Sequence, residues 1–417
     1  MGGVLSADVD RKSNWLISQA GWFIGKEAEV NALYFDYNAT TPIDPAVAAA
    51  MQPFLAGGLS GRFGNPSSTH EYGRLAHEAV VKARSQVAGL LGCRPEEIVF
   101  TASGSEADNL ALKGVAEAYR ERGNHIVTSQ IEHPAVLNTG RYLERRGYRV
   151  TYLPVDAFGQ VRLADVELAL EPGTILVSVM HANNETGVLQ PIAEIAALAH
   201  RRGILVHADA AQSVGKIPVR VDELGVDLLT VAGHKLYAPK GIGALYVRTG
   251  TRLEPLVHGA RHESGRRAGT ENVPYIVALG QACQVAADTL PEYGPKVRDA
   301  RDRLQRLLME SVPGLAVNAH PTERLPNTLN VSFPNVDGEE LLANASAVAA
   351  STGSACHAGR TEPSAVLLAM GLSRKRALGA VRLSLGKLTT ADEVDRATSV
   401  LVSAWRSLVD RRARADQ

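Results

Sequence analysis

At 417 residues the chain is long enough for two or three domain-sized units, and its 45% hydrophobic and 21% charged content is that of an ordinary globular protein. Lys and Arg (44) balance Asp and Glu (44), so the formal net charge is zero, which excludes a broad basic footprint for nucleic acid or an anionic membrane surface. No window approaches the roughly 18 consecutive apolar residues of a membrane span, and the N-terminal stretch lacks the apolar core of a secretory signal. Three widely spaced cysteines, Cys93, Cys283 and Cys356, offer neither a disulfide framework nor a zinc site, so a reducing cytoplasm is the expected compartment.

Residues 1–31 show no periodicity and read as a peripheral extension. The ordered chain is expected from Leu33, with a short strand through Tyr34–Tyr37 and a turn at Asn38–Pro42. Pro45, a favoured first helical residue, opens a helix to about Leu55. Gly57–His70 is a Gly/Ser/Asn/Pro-rich loop too long for a plain connector, and helical periodicity returns over Gly73–Leu91. Glu97–Thr101 is a strand that turns through Ala102-Ser103-Gly104-Ser105 into a helix, Glu106 to about Arg120. Free N–H groups and the helix dipole make such a turn a seat for phosphate, with Ser105 adding a hydroxyl; an ordinary N-cap uses the same residues.

Strands His125–Ser129, Arg149–Leu153 and Ile175–Met180 follow, the first running into Glu132-His133-Pro134 and the third into His181–Gly187. Ile204–Ala208, Val226–Val231 and a strand ending at Val247 continue the alternation of strands and helices, which implies a mainly parallel sheet covered on both faces. Beyond it come an Arg-rich loop (His258–Tyr275), helices over about Val273–Ala287 and Lys296–Glu310, and a smaller α+β region with strands Thr328–Phe333 and Val381–Leu385. A Gly/Ser/Cys segment spans Ser351–Ser364, and a last helix starts near Thr390, where Thr390 and Glu393 form a capping box. The expected division is an extension (1–31), a large domain (45–285) and a small domain built from 32–44 and 286–417.

Asp209 stands where one apolar strand ends, and Gly233-His234-Lys235 follows the next. Ligands of open α/β sheets bind outside the carboxyl ends of the strands, so both residues face one crevice, expected to hold His207, Gln212 and His234 as well. An acid and a lysine there are what pyridoxal phosphate (PLP) requires: the lysine forms a Schiff base and the carboxylate keeps a proton on the ring nitrogen. Alone, either residue serves equally well as a cap or a solvated surface group.

Together with Glu132-His133, Asn183-Asn184-Glu185-Thr186-Gly187 and Ser351–Cys356, this constellation resembles the cysteine desulfurase and selenocysteine lyase family, in the class V branch of PLP-dependent aminotransferases. The motifs keep the family's order from Leu33 to about Val400. The resemblance implies an α/β fold of PLP-dependent transferase type I, a large domain with a mainly parallel seven-stranded sheet plus a smaller α+β domain. It implies Lys235 as the Schiff-base lysine, Asp209 as partner of the pyridine nitrogen, and Gln212 as partner of the ring hydroxyl. It further implies His133 as the ring-stacking proton carrier, and Gly104, Ser105, His234 and Thr270 as phosphate contacts, Thr270 reaching into a neighbouring subunit. Asn184 and Arg382 would hold the substrate carboxylate, and Cys356 would be the nucleophile that takes sulfur as a persulfide while L-cysteine becomes L-alanine.

A homodimer, a sulfur-acceptor protein such as an iron–sulfur scaffold, and a transient cluster bridged through Cys356 belong to the same expectation, with no resident metal. Cys93 and Cys283, in apolar helical context, read as inert thiols. The chain departs from the family at Ala232, where many members place a phosphate-binding serine, and at Gly259-Ala260-Arg261, where a glycine triplet is usual. Selenocysteine lyase shares all these motifs; a transaminase would not need Cys356, and an inactive sulfur-relay scaffold would not need Lys235.

Overall fold

Alternation along the central strands sorts their side chains onto two faces. Ile126, Leu176, Leu228 and Leu245 pack under one layer of helices, and their neighbours Val127, Val177, Leu229 and Ala244 under the other, as the two-residue period of a pleated strand requires. In this computed structural model residues 15–17, 23–25, 32–59, 61–353, 356–357 and 360–415 are described, of which 15–17, 23–25, 356–357, 360–361 and 415 as backbone only.

The seven-stranded sheet runs in the order Ile98–Thr101, Gly243–Val247, Leu228–Ala232, Leu205–Asp209, Thr174–Ser178, His125–Ser129, Arg149–Leu153. Gly243–Val247 is antiparallel to both neighbours and the remaining pairs are parallel. The sheet is therefore mainly parallel, as the alternating pattern implies. Helices Gly104–Ala118 and Pro134–Glu144 cover one face; Glu71–Leu91, Ile192–His200 and the first half of Val273–Ser311 cover the other.

A second apolar core forms around an antiparallel sheet of Ala316–Val317, Thr328–Ser332 and Ala380–Ser384. Leu33–Tyr34 pairs in parallel with Val348–Ala349, and Asp36 bridges to Ser384, so the N-terminal strand is stitched to the last third of the chain. The capping box forms as expected, with the Thr390 and Glu393 N–H groups donating to each other's side chains at 2.8 and 3.2 Å.

One expected break is absent. Val273–Ser311 is a single 39-residue helix carrying Pro291 and Pro295 inside it, where the sequence predicts two helices parted between Ala287 and Lys296. A proline in a helix removes one N–H and frees the carbonyl four residues earlier. Here those carbonyls belong to Ala287 and Pro291, both exposed residues, and a freed carbonyl costs little on a solvent-facing side. The opposite side, Ala282, Cys283, Ala286, Tyr293 and Val297, is buried across the two cores and holds the helix continuous. Among the described residues no helix is long and apolar enough to cross a membrane.

Candidate active site

The carboxyl ends of the parallel strands open into a cavity of about 380 Å³, lined among others by Asp209, Lys235, His133, Gln212, Asn184 and Arg382. Asp209 is the last residue of its strand and only 6% exposed; its Oδ1 accepts from the Ala211 N–H at 2.9 Å. Burial raises its pKa against the opposing pull of His133 and Lys235. Below it lies Asp108, also buried, with Oδ1 3.7 Å from His207 Nε2 and no hydrogen-bond partner. The floor thus holds two desolvated carboxyl groups, which favours keeping protons there.

Lys235 ends a short 3₁₀ turn that begins at Gly233. A Cβ on Gly233 would meet Ile242 Cγ2 at 2.8 Å and its carbonyl oxygen at 2.9 Å, so glycine alone allows the turn to pack against the returning strand. The Lys235 ammonium donates to the Asn38 and Ala39 carbonyls at 2.6 and 2.7 Å. Burial and the nearby Arg382 push its pKa down to about 8, against Asp36 and Asp209. A lysine in that range is a usable nucleophile and proton acceptor near neutral pH. His133 caps the helix Pro134–Glu144, its Nδ1 accepting from the Ala135 N–H at 3.1 Å, which leaves the proton on Nε2. Burial, and then Lys235, hold it below the ordinary histidine value against Asp209.

At the far end, helix Gly104–Ala118 points its N-terminus at the cavity, with Ser103 as N-cap accepting from the Glu106 N–H at 3.0 Å. Its first turn leaves the Gly104 and Ser105 N–H groups without intrahelical acceptors, a fit for a phosphate. His234 Nδ1 lies 3.1 Å from Thr40 Oγ1, and burial, with Lys235 next, pulls its pKa down to about 4. Ala232 offers no hydroxyl, and a Cβ on Gly104 would meet the Ala232 Cβ at 3.0 Å.

The rim comes from distant parts of the chain. Arg382, on the small sheet, donates to the Asn184 carbonyl at 3.0 Å and to Asp36 Oδ1 at 2.7 Å, while its Nε is buried without a partner. Its side chain is 8% exposed, so it is a built part of the site and not a surface arginine. Asn38, read from sequence as a turn residue, is the hub. Its carbonyl accepts from Lys235 and Gln212, its Oδ1 from Lys216 and Asn327, and its Nδ2 donates to Asn184 O and Thr328 Oγ1.

Ten of the expected residues therefore fall as follows. Lys235, Asp209, Gln212, His133, Gly104, Ser105, His234, Asn184 and Arg382 line the one cavity; Thr270 is exposed and does not. Cys356 pairs with Thr361 in a two-residue hairpin, and its side chain lies outside the described residues. His207 does not share the crevice: it is fully buried beneath the floor, its ring nitrogens 2.9 Å from Ser178 Oγ and 3.1 Å from Thr230 Oγ1, because it sits two residues before the strand end. Burial drives the Cys93 and Cys283 thiols up to about 12, consistent with inert groups.

The reading of motifs passed over Asn38, Asp36, Asp108 and Lys216. Lys216, four residues after Gln212 in an otherwise apolar stretch, carried a usable signal; Asn38 and Asp36 carried none without the fold.

The aminotransferase class-V family matches residues 33–397. The chain is 46% identical over 375 residues to the cysteine desulfurase IscS of Methanosarcina thermophila, covering 89% of this chain and 92% of that one. It is 48% identical over 366 residues to the IscS of Pectobacterium carotovorum, covering 87% and 90%. A solved NifS-like protein superposes with a TM-score of 0.83 at 39% identity, over 89% of this chain and 98% of the other.

Proposed function

This chain belongs to the class-V aminotransferase family, and we propose that it is a PLP-dependent cysteine desulfurase that releases L-alanine from L-cysteine and takes the sulfur as a persulfide on Cys356. The observation that carries this reading is the convergence of Lys235, Asp209 and Arg382 on one cavity, with a phosphate seat at its far end. The donor set fits PLP: a desolvated lysine, a buried carboxyl group for the pyridine nitrogen, an amide from Gln212 for the ring oxygen, and Gly104, Ser105 and His234 for the phosphate. When bound, PLP supplies an electron sink for charge developing at the substrate's α-carbon.

The chain's own groups do the rest. Asp209, at the strand end in the cavity, would hold a proton on the pyridine nitrogen of a bound cofactor. Lys235, poised near neutral pH, takes the α-proton and returns it. His133, with its proton on Nε2 and its ring lining the cavity, would move protons across it. Arg382 exchanges the Asp36 carboxylate for the substrate's, swapping one anion for another on the same planar fork, and Asn184 completes that grip. A Cys356 thiolate then attacks the substrate's sulfur. An S–S bond forms, the C–S bond breaks with its electron pair remaining on the substrate carbon, and protonation of that carbon yields alanine.

The segment that bears Cys356 leaves from Ser351, whose backbone pairs with that of Arg382, which supports a short reach to the carboxylate grip. Thr270, exposed on its loop, is assigned to a neighbouring subunit's phosphate in a homodimer. The persulfide sulfur passes to an acceptor protein in the cytoplasm, in iron–sulfur cluster assembly or thiolation.

The test is sulfide and alanine release from L-cysteine, beside selenide release from L-selenocysteine, for wild type and Cys356→Ala. Turnover of L-cysteine that is lost in Cys356→Ala is expected. Full turnover by Cys356→Ala, or reaction with L-selenocysteine alone, overturns the reading.

A further inference from the structure

Lys216 is buried to 4% exposure and donates to two side-chain amide oxygens in place of a carboxylate: Gln212 Oε1 at 2.7 Å and Asn38 Oδ1 at 2.9 Å. A buried amine is costly and needs a return in hydrogen bonding. The return here is orientation. A primary amide has an oxygen end that only accepts and a nitrogen end that only donates, and the two ends occupy nearly the same space. A lysine at one end settles the choice, because its ammonium has donors alone. The oxygens of Gln212 and Asn38 must face Lys216, and their NH₂ groups must face away.

For Asn38 the consequence is structural: its Nδ2 reaches Asn184 O at 3.2 Å and Thr328 Oγ1 at 2.9 Å, and Asn327 adds a second donor to its Oδ1. For Gln212 it bears on the cavity. One hydrogen of its Nε2 goes to the Asn38 carbonyl at 3.0 Å, and Gln212 itself lines the cavity beside Lys235 and Asp209. The second hydrogen remains for a ligand oxygen. With the amide reversed, an oxygen would meet the Asn38 carbonyl and any anionic ring oxygen, and both contacts would be repulsive.

We infer that Lys216 is a positioning residue, which acts through Gln212 by holding its amide donor toward the ring oxygen of the cofactor. This rests on the proposal that the cavity takes PLP. Burial, then Lys235 and Arg382, pull the Lys216 amine below its ordinary value. The ammonium form enforces the orientation outright, and the neutral amine supports it through its two N–H donors, one to each amide oxygen. Lys216 does not line the cavity, and because it also holds Asn38 Oδ1, the double variant below isolates the part of its effect that passes through Gln212.

The test is absorbance titration of the cofactor-free full chain with PLP, for wild type, Lys216→Met, Gln212→Ala, Gln212→Glu and the Lys216→Met/Gln212→Ala double variant. Lys216→Met is expected to weaken PLP about three- to tenfold, the net worth of one hydrogen bond, and to shift the visible band of the bound cofactor. Gln212→Ala gives a similar change. The double variant is no weaker than Gln212→Ala alone, because both substitutions remove the same contact. Gln212→Glu, which accepts at both ends, loses the contact even with Lys216 present, and keeps the test open if Lys216→Met does not fold. Wild-type affinity and spectrum in Lys216→Met or in Gln212→Glu, or full additivity in the double variant, overturns the inference. A wild-type chain that acquires no visible band overturns instead the PLP reading beneath it.

Discussion

The floor and the rim of the cavity are built on different principles. The floor is desolvated acid: Asp209 and Asp108 are 6% and 2% exposed, neither forms an ion pair shorter than 3.7 Å among the described residues, and burial raises both. The rim is satisfied charge: Arg382 rests on Asp36 at 2.7 Å and the Asn184 carbonyl at 3.0 Å. A floor kept in low dielectric holds protons and strengthens every charge that a ligand brings. A rim whose arginine already holds a carboxylate is prepared to bind another by exchange. Substitutions in the floor should therefore depress turnover, and substitutions in the rim should depress binding.

The largest effect is expected from Lys235→Ala, which removes the proposed attachment point and proton acceptor. Turnover of L-cysteine falls on the order of 10⁴-fold or more, and the visible band of the purified protein disappears. Retained colour would detach Lys235 from the floor's chemistry. Next comes Asp209→Asn, which keeps the volume and removes the charge: kcat falls about 10²–10³-fold with KM changed little, by steady-state kinetics. Arg382→Ala sharpens the contrast from the other side. It removes the contact proposed for the substrate carboxylate, so KM for L-cysteine is expected to rise about ten- to a hundredfold with a smaller change in kcat. A dominant kcat loss there would erase the distinction between floor and rim.

The smallest effect lies beneath the floor, at Glu132. Burial raises its pKa from 4.5 to about 8, although Ser129 Oγ donates to it at 2.5 Å and the Met180 N–H at 3.0 Å. Folding therefore takes up a proton at this site, so its contribution is fully present below about pH 4.5 and is lost as pH rises through about 8. Glu185, raised to about 7 by burial, acts in the same direction, while His181 and His207, pulled down to about 4 and 3 by burial, affect only the range below their ordinary value of 6.5. Lys235, pulled down to about 8, and Lys216, also pulled down by burial, act in the opposite direction, so the readout is the difference between two chains. Between pH 6.5 and 8 the thermal midpoint of the cofactor-free wild type should fall by roughly 2 °C relative to that of Glu132→Gln. An unchanged slope removes Glu132 from the account.

Three of the cavity residues were legible because each sits where a local pattern ends, whereas Asp108, inside a helix, was not. Asp209 closes an apolar strand, Lys235 follows a Gly-His turn after the next, and His133 precedes the proline that opens a helix. The α/β rule that ligands gather at the carboxyl ends of strands then places them together. His207 marks the limit of that rule: two residues from Asp209 on the same strand, it points the same way but lies one layer deeper, and only packing shows it. The single helix Val273–Ser311 marks another, because local proline chemistry predicts a break that two buried cores override.

By itself the sequence determined the alternating fold, the strand ends that carry Lys235, Asp209 and His133, and the family resemblance, since each depends on residues near one another in the chain. The tertiary structure decided the rim and its supports: Asp36 against Arg382, 346 positions away, Asn38 joined to Thr328, 290 away, and Lys216 joined to Asn38, 178 away. No periodicity encodes such pairs, because hydrogen bonds between polar side chains leave no pattern until the backbone has brought them within three ångströms of each other.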